Sequence, residues 1–329
     1  MDDAVNEAAS RALWYVGAGR AEIRDERLAA LAPGAVRVRA LHGAISRGTE
    51  SLVAHGRVPA SEFERMRAPF MAGNFPFPVK YGYATVGMVE QGPTDLLGRT
   101  VFSLHPHQTL FDLPATAAVA VPPSVPAARA VLAANMETAL NAVWDAGAES
   151  FGKVAVVGAG VVGALAGLLL RQLASADVTL VDVDPARAAV AARFGLAFAA
   201  PDRAPTECGL VVHASATAAG LATALASAGD EATVLELSWY GSADVPVPLG
   251  GAFHSRRLKL IASQVGKVAP SHRREWTHRR RLEKALELLA DDRLDVLLEP
   301  SIQFEDLPVR LSHVLGPVSG ILCQTVDYS

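Results

Sequence analysis

Hydrophobic and polar positions change their rhythm twice along the chain. From Arg37 to about Val121, short apolar runs are punctuated by Gly and Pro, as in RVRALHGAIS, FPVKYGYATVGMVE and GRTVFSLHPHQTLFDLP. Runs of this length bounded by turn residues predict a β-rich domain of short strands. Between Pro126 and Ala146 the spacing becomes helical, with Ala130, Leu132, Met136, Leu140 and Val143 apolar. Strand-like and helical segments then alternate: VAVVG, a helix from Ala164, VTLVDVD, a helix over 186–194, LVVHASA, a helix over 221–228, ATVLELS and LKLIASQVG. Alternation of this kind predicts a doubly wound parallel sheet, because each crossover helix must cover a face of the sheet. Helical spacing returns over 271–289, and the tail reads as a short strand, a helix and a final strand.

The run VAVVGAGVVG, Val154 to Gly163, joins a buried strand to a G-x-G-x-x-G turn and an apolar helix. That context points to dinucleotide binding. Gly158 permits the tight turn, Gly160 admits a pyrophosphate close to the backbone, and Gly163 allows the helix to pack on the strand. The free N–H groups at the helix start, on Val161 and Val162, then face the anion. A second strand, Val178 to Val181, ends at Asp182, nineteen positions past Gly163. A carboxylate there accepts hydrogen bonds from ribose hydroxyls and repels a 2′-phosphate, which favours NAD(H). Nearby Arg187 keeps NADP(H) open.

Composition narrows the partners. A chain of 329 residues with 50% apolar content suffices for two cores. The net charge of -4 argues against nucleic acid as the main partner and leaves small molecules. Only Cys208 and Cys323 are present, so a disulfide framework is excluded and a reducing cytoplasm fits. The start, MDDAVNEAAS, lacks the positive and apolar character of a signal peptide, and no apolar run reads as a membrane span.

Three motifs lie outside the glycine turn: FPVKYGYATVGMVE resembles a P-x-x-x-G-H-E-x-x-G segment, ISRGTE a C-R-S-D segment, and FEDLP an acidic turn before a last helix. With the domain order, they resemble the medium-chain dehydrogenase/reductase (alcohol dehydrogenase-like) superfamily across essentially the whole chain. ISRGTE is also similar to the bacteriochlorophyllide hydroxyethyl dehydrogenase branch over that short motif. The resemblance implies an α/β chain with a GroES-like β-rich catalytic domain, 1–134 and 268–329, and a Rossmann NAD(P)-binding domain, 135–267. It also implies a homodimer joined at a sheet edge, here Leu258 to Ala262.

The departures concern zinc. Ser46 stands at the family's Cys position, Tyr83 at its His position, Ala84 at the acidic partner and Ala134 at the third ligand. A catalytic zinc needs about three good protein ligands. No cysteine precedes Cys208, so the four-cysteine structural lobe is missing as well. His105, His107 and Glu137 are the remaining candidates for a replacement site, but the expectation is no metal.

Without zinc, another group must meet the charge that develops on the substrate oxygen. The matching positions offer Ser46, Thr49, Tyr83 and His105. Tyr83 is the first choice as proton donor if a cation lowers its pKa, and His105 the competing one, with an ordinary pKa nearer neutrality. Lys80 is close in sequence, yet in an extended strand the two side chains would point to opposite faces. Alternatively, Tyr83 simply fills the volume of the missing metal. By resemblance, Arg47 meets the cofactor pyrophosphate, Thr138 the nicotinamide side, Ala214 and its loop the nicotinamide ribose, and Gln264, between Ser263 and Gly266, the ring. Glu137 faces the cleft or caps a helix. His213 reads as a core histidine. HRREWTHRRR, 272–281, reads as a solvated helix face with Glu275 and Arg279 paired at i, i+4 and Trp276 and Leu282 turned inward, or else as a site for an anionic substrate.

The resulting expectation is a zinc-independent oxidoreductase moving hydride between NAD(H) and an alcohol or carbonyl compound. An NADPH-dependent enoyl or quinone reductase is the alternative within the same superfamily. A non-catalytic nucleotide-binding protein is the alternative from another class.

Overall fold

A computed structural model describes residues 8–147, 151–316 and 320–329. The extreme amino terminus, read above for a leader, lies partly outside the described residues. The chain forms two compact units, one comprising residues 1–134 and Leu298–Ser329, the other Asn135–Leu297.

The second unit is built on a six-stranded sheet in the order Ala197–Ala199, Asp177–Val181, Lys153–Val157, Cys208–His213, Ala228–Glu236, Lys259–Ala262. All neighbouring strands run parallel. Counted along the chain, this is the 3-2-1-4-5-6 order of a dinucleotide-binding sheet, with its switch point between Lys153–Val157 and Cys208–His213. The uninterrupted apolar run Val154 to Val157 is what a strand covered on both faces demands, and all four residues are buried. The following helix, Val161–Leu173, buries eight consecutive residues from Gly163 to Leu170. It begins three residues before the predicted start, directly after Gly160.

Side-chain caps account for two other shifted boundaries. Thr217 accepts the Gly220 N–H and starts the next helix at Ala218, so that it ends at Ser227 and Ala228 already belongs to the strand. Thr277 accepts the Arg280 N–H, and the helix predicted over 271–289 spans only His278–Leu288. The helical segment 126–146 divides into Ala127–Ala130 and Ala133–Ala146.

Residues 268–297, which the family resemblance assigns to the first domain, pack in the second unit instead. The cause is a buried cation. Arg281, 1% exposed, donates to Glu137 Oε1 at 3.0 Å, Asn141 Oδ1 at 2.5 Å and the Val265 carbonyl at 2.5 Å. Leu282, Ala285, Leu286 and Leu289 bury the same face of the chain.

The first unit contains two sheets. In the larger, the tail strands Leu298–Gln303 and Cys323–Asp327 extend a mainly antiparallel array through Ala35–Ile45, Thr85–Gln91, Thr100–Ser103 and Val119–Ala120, with Leu110–Pro114 also on Ala35–Ile45. Val36, Val38, Val89, Val101, Phe111 and Leu113 fill its core. The smaller sheet runs Arg20–Leu28, Ala8–Gly17, Val79–Lys80, Ala72–Gly73. Among the described residues no helix is long and apolar enough to cross a membrane.

Candidate functional site

The three glycines of the turn meet different surroundings. Gly158 has φ +103°, and a Cβ there would lie 2.5 Å from the Ser215 backbone nitrogen. A Cβ on Gly163 would lie 1.9 Å from the Gly158 carbonyl oxygen. Around Gly160, by contrast, a Cβ would meet nothing within 4 Å. The first and third glycines are therefore required by the protein's own packing, while the second keeps space clear beside the half-buried Val161 and Val162 at the helix start. The unpaired N–H groups and dipole of a helix N-terminus make that space suited to an anion.

Asp182 is tied into the same turn. Its Oδ2 accepts the Ala159 N–H at 2.7 Å and its Oδ1 the Asp184 N–H at 2.9 Å. Each oxygen keeps lone-pair capacity for a ribose hydroxyl. Arg187 lies against Asp184, Nε to Oδ2 at 3.3 Å. The open second glycine, the helix start and the terminal carboxylate together fit a dinucleotide.

Other residues predicted for the cofactor side occupy loops and helices of this unit. Ala214 donates its N–H to the Val157 carbonyl at 2.8 Å, holding the next loop against the glycine turn. Gln264 is exposed and closes its own turn by accepting the Gly266 N–H at 2.7 Å. Ser263 donates to Asp145 at 2.6 Å, and Thr138 is half-buried on the helix Ala133–Ala146. His213 is buried with both ring nitrogens hydrogen-bonded.

In the first unit, Tyr83 Oη donates to Ser46 Oγ at 2.5 Å, and Thr49 also hydrogen-bonds the phenol. Burial pushes the phenol up to about 12, opposed by the bonds to Ser46 and Thr49. Among the described residues no cation contributes a lowering of the phenol. Lys80 instead reaches Glu26 and Gln108, both at 2.8 Å, and lies over the Trp14 ring. Two hydroxyls, with a methyl at Ala84 and another at Ala134, do not fit zinc, which takes thiolate, imidazole or carboxylate ligands. Among the described residues no group of three or more His, Cys, Asp or Glu is arranged to hold a metal.

Several predicted roles meet contrary geometry. His105 is buried, stacked on Phe111 at 3.8 Å and facing Phe70 at 5.7 Å, with Nδ1 donating to the Pro106 carbonyl at 3.0 Å. Burial lowers its pKa to about 3, so the ring is neutral at pH 7 and its imidazolium is unavailable as a donor. Arg47, predicted on the pyrophosphate, donates through all three guanidinium nitrogens to the Val314, Ile321 and Gly316 carbonyls at 2.6–2.9 Å. It caps the end of the helix Leu307–Val314, where cations are favourable. Glu137 neither caps a helix nor opens to a ligand; it is paired with Arg281. In the basic stretch, Arg279 pairs with Glu283 at 2.6 Å rather than with Glu275, because the helix begins after Thr277. Trp276 packs on Trp144 at 4.9 Å and Leu282 is buried.

The pattern-based reading missed a buried carboxylate. Glu50 is 0% exposed and accepts from Tyr15 Oη at 2.8 Å, His107 Nε2 at 3.0 Å and the Ser46 N–H at 2.8 Å. Tyr328 Oη lies 3.3 Å from His107 Nδ1. Its only sequence signal was the acidic last position of ISRGTE. Tyr15, His107 and Tyr328 are far from Glu50 in the chain, so no spacing rule reveals them.

No protein-family model matches the chain, and no curated protein matches it in sequence. Solved structures do share its fold, that of medium-chain dehydrogenases and reductases with GroES-like and Rossmann units. L-idonate 5-dehydrogenase from Escherichia coli superposes with TM-score 0.78 at 14% identity, covering 98% of this chain and 99% of its own. A protein described as the short chain alcohol dehydrogenase rspB from E. coli CFT073, complexed with NADH, gives 0.77 at 14% identity over 97% and 99%. A protein from Bacillus thuringiensis assigned as an NADPH:quinone reductase gives 0.74 at 14% identity over 98% and 100%.

Proposed function

We propose that this chain is an NAD(H)-preferring oxidoreductase that interconverts an alcohol and a carbonyl compound without catalytic zinc. The observation that carries the reading is the open space at Gly160, between two glycines the fold itself requires, at the start of a buried helix and beside the sheet's switch point. A nicotinamide cofactor bound there supplies hydride acceptance in oxidation and hydride donation in reduction. Asp182 supports the preference for NAD(H), since its carboxylate repels a 2′-phosphate and Arg187 is already engaged by Asp184.

Tyr83 is the proton donor in this reading. With its pKa near 12 it keeps the phenolic proton at neutral pH, yet it remains a stronger acid than an alcohol and can protonate a developing alkoxide. Ser46 and Thr49 stabilise the phenolate left behind. His105 is neutral at pH 7 and lacks the acidic imidazolium proton, and the one N–H it keeps is bonded to the Pro106 carbonyl. The edge strand Lys259–Ala262, exposed throughout and carrying Leu260 and Ile261, supports a homodimer.

A screen of metal-free protein with aldehydes, ketones and activated enones, with NADH or NADPH and with or without EDTA, tests the reading. EDTA-resistant carbonyl reduction with NADH is expected. Turnover of enones alone with NADPH would replace it by the reductase alternative.

A further inference from the structure

The loops at the carboxyl ends of Cys208–His213 and Ala228–Glu236 are joined by a chain of hydrogen bonds that runs from the half-buried Glu236 through the buried His213 ring to the exposed Thr217. His213 Nδ1 lies 2.7 Å from Glu236 Oε2, and His213 Nε2 lies 2.7 Å from Ser215 Oγ. Ser215 Oγ lies 3.0 Å from Thr217 Oγ1, which accepts the Gly220 N–H. Glu236 also accepts from Tyr240 Oη at 3.0 Å and from the Ser238 N–H at 2.7 Å.

The carboxylate fixes one end of the chain. Burial alone would raise the Glu236 carboxyl, but bonds from His213 and Ser238 outweigh it and hold the group below its ordinary value. The carboxylate therefore accepts the Nδ1–H, and Nε2 shares the next bond with the Ser215 hydroxyl. Thr217 accepts from Gly220 and shares a bond with Ser215 in which either hydroxyl can donate.

The surrounding backbone is shaped around this chain. A Cβ on Gly220 would lie 2.0 Å from Ser215 Oγ and 2.9 Å from His213 Nε2. Ala216 is held in the left-handed region, φ +54°, with its N–H bonded to Ser238 Oγ at 3.1 Å. Strain at a non-glycine residue persists only where the surroundings over-determine it. His213 is in register with both Val157, which precedes the glycine turn, and Glu236. The same loop reaches Gly158, whose Cβ would strike Ser215.

We propose that Ser215, His213, Glu236 and Tyr240 form a positioning relay that sets the loops 214–217 and 237–240 to receive the nicotinamide-riboside half of the cofactor. The inference rests on the cofactor reading above. The adenosine half, on the Asp182 side of the switch point, does not use these loops. The relay residues position; none is a catalytic group.

Calorimetric titration of NADH and of ADP-ribose, which lacks the nicotinamide, into the full chain tests this. For Ser215→Ala and Glu236→Gln, the NADH Kd is expected to rise about tenfold, as for one lost hydrogen bond, with ADP-ribose affinity unchanged. Tyr240→Phe, a milder change that keeps the ring, should raise the NADH Kd about threefold by loss of one partial contact. Wild-type protein that binds neither ligand overturns the cofactor reading and the relay with it. Wild-type binding of NADH with unaltered variants, or a parallel loss of both ligands in Tyr240→Phe, overturns the relay alone.

Discussion

Individual side chains decide the proton chemistry. Tyr83 and His105 both stand at positions the sequence offers for a donor, and burial moves them in opposite directions, to about 12 and about 3. Replacing Tyr83 by Phe should lower kcat about 10²–10⁴-fold, the usual range for a lost general acid, while leaving thermal unfolding nearly unchanged. His105→Leu separates stability from catalysis. The folded-state pKa of His105 lies below the unfolded value of about 6.5, so the unfolded chain takes up the proton first as pH falls. The stabilisation from its neutral form is present above that value and lost between about 6.5 and 3. From pH 7 to pH 5 the wild type should lose about 2 kcal/mol that His105→Leu does not, read by urea unfolding at both values. Residue types and motif positions were legible at this scale, but partners were not. Arg47 looked like a phosphate ligand, and only the folded tail supplies the three carbonyls that claim it.

At the level of elements, periodicity and glycine placement carried much of the fold. Buried strands such as Val154 to Val157 have continuous apolar runs that nothing else explains so simply. Helix starts were less legible, since they depend on whether Thr217 and Thr277 turn their hydroxyls back to the chain. The glycine turn gives a paired prediction. Gly163→Ala should destabilise by at least about 2 kcal/mol, because the added methyl meets a carbonyl oxygen that cannot retreat. Gly160→Val should fold normally. The helix His278–Leu288 depends on Arg281, and Arg281→Met should cost about 3–5 kcal/mol by leaving Glu137 buried and unpaired, a loss visible in chemical denaturation.

Over the whole molecule, the doubly wound sheet and the β-rich unit were legible from alternation and punctuation, whereas the membership of residues 268–297 was not. Family order suggests a return to the first unit at 268, but Arg281 and its apolar neighbours keep the chain in the second until Leu297. The exposed edge Lys259–Ala262 leads to an expected dimer at micromolar concentration in sedimentation velocity, with Ile261→Lys shifting it to monomer. A wild-type monomer would remove that assembly without touching the cofactor site. The most direct test of the account is fluorescence titration of NADH into wild-type protein and Gly160→Val. Saturable binding by the wild type, lost in a variant of unchanged thermal stability, is the predicted result; equal binding by both, or binding by neither, would contradict the account.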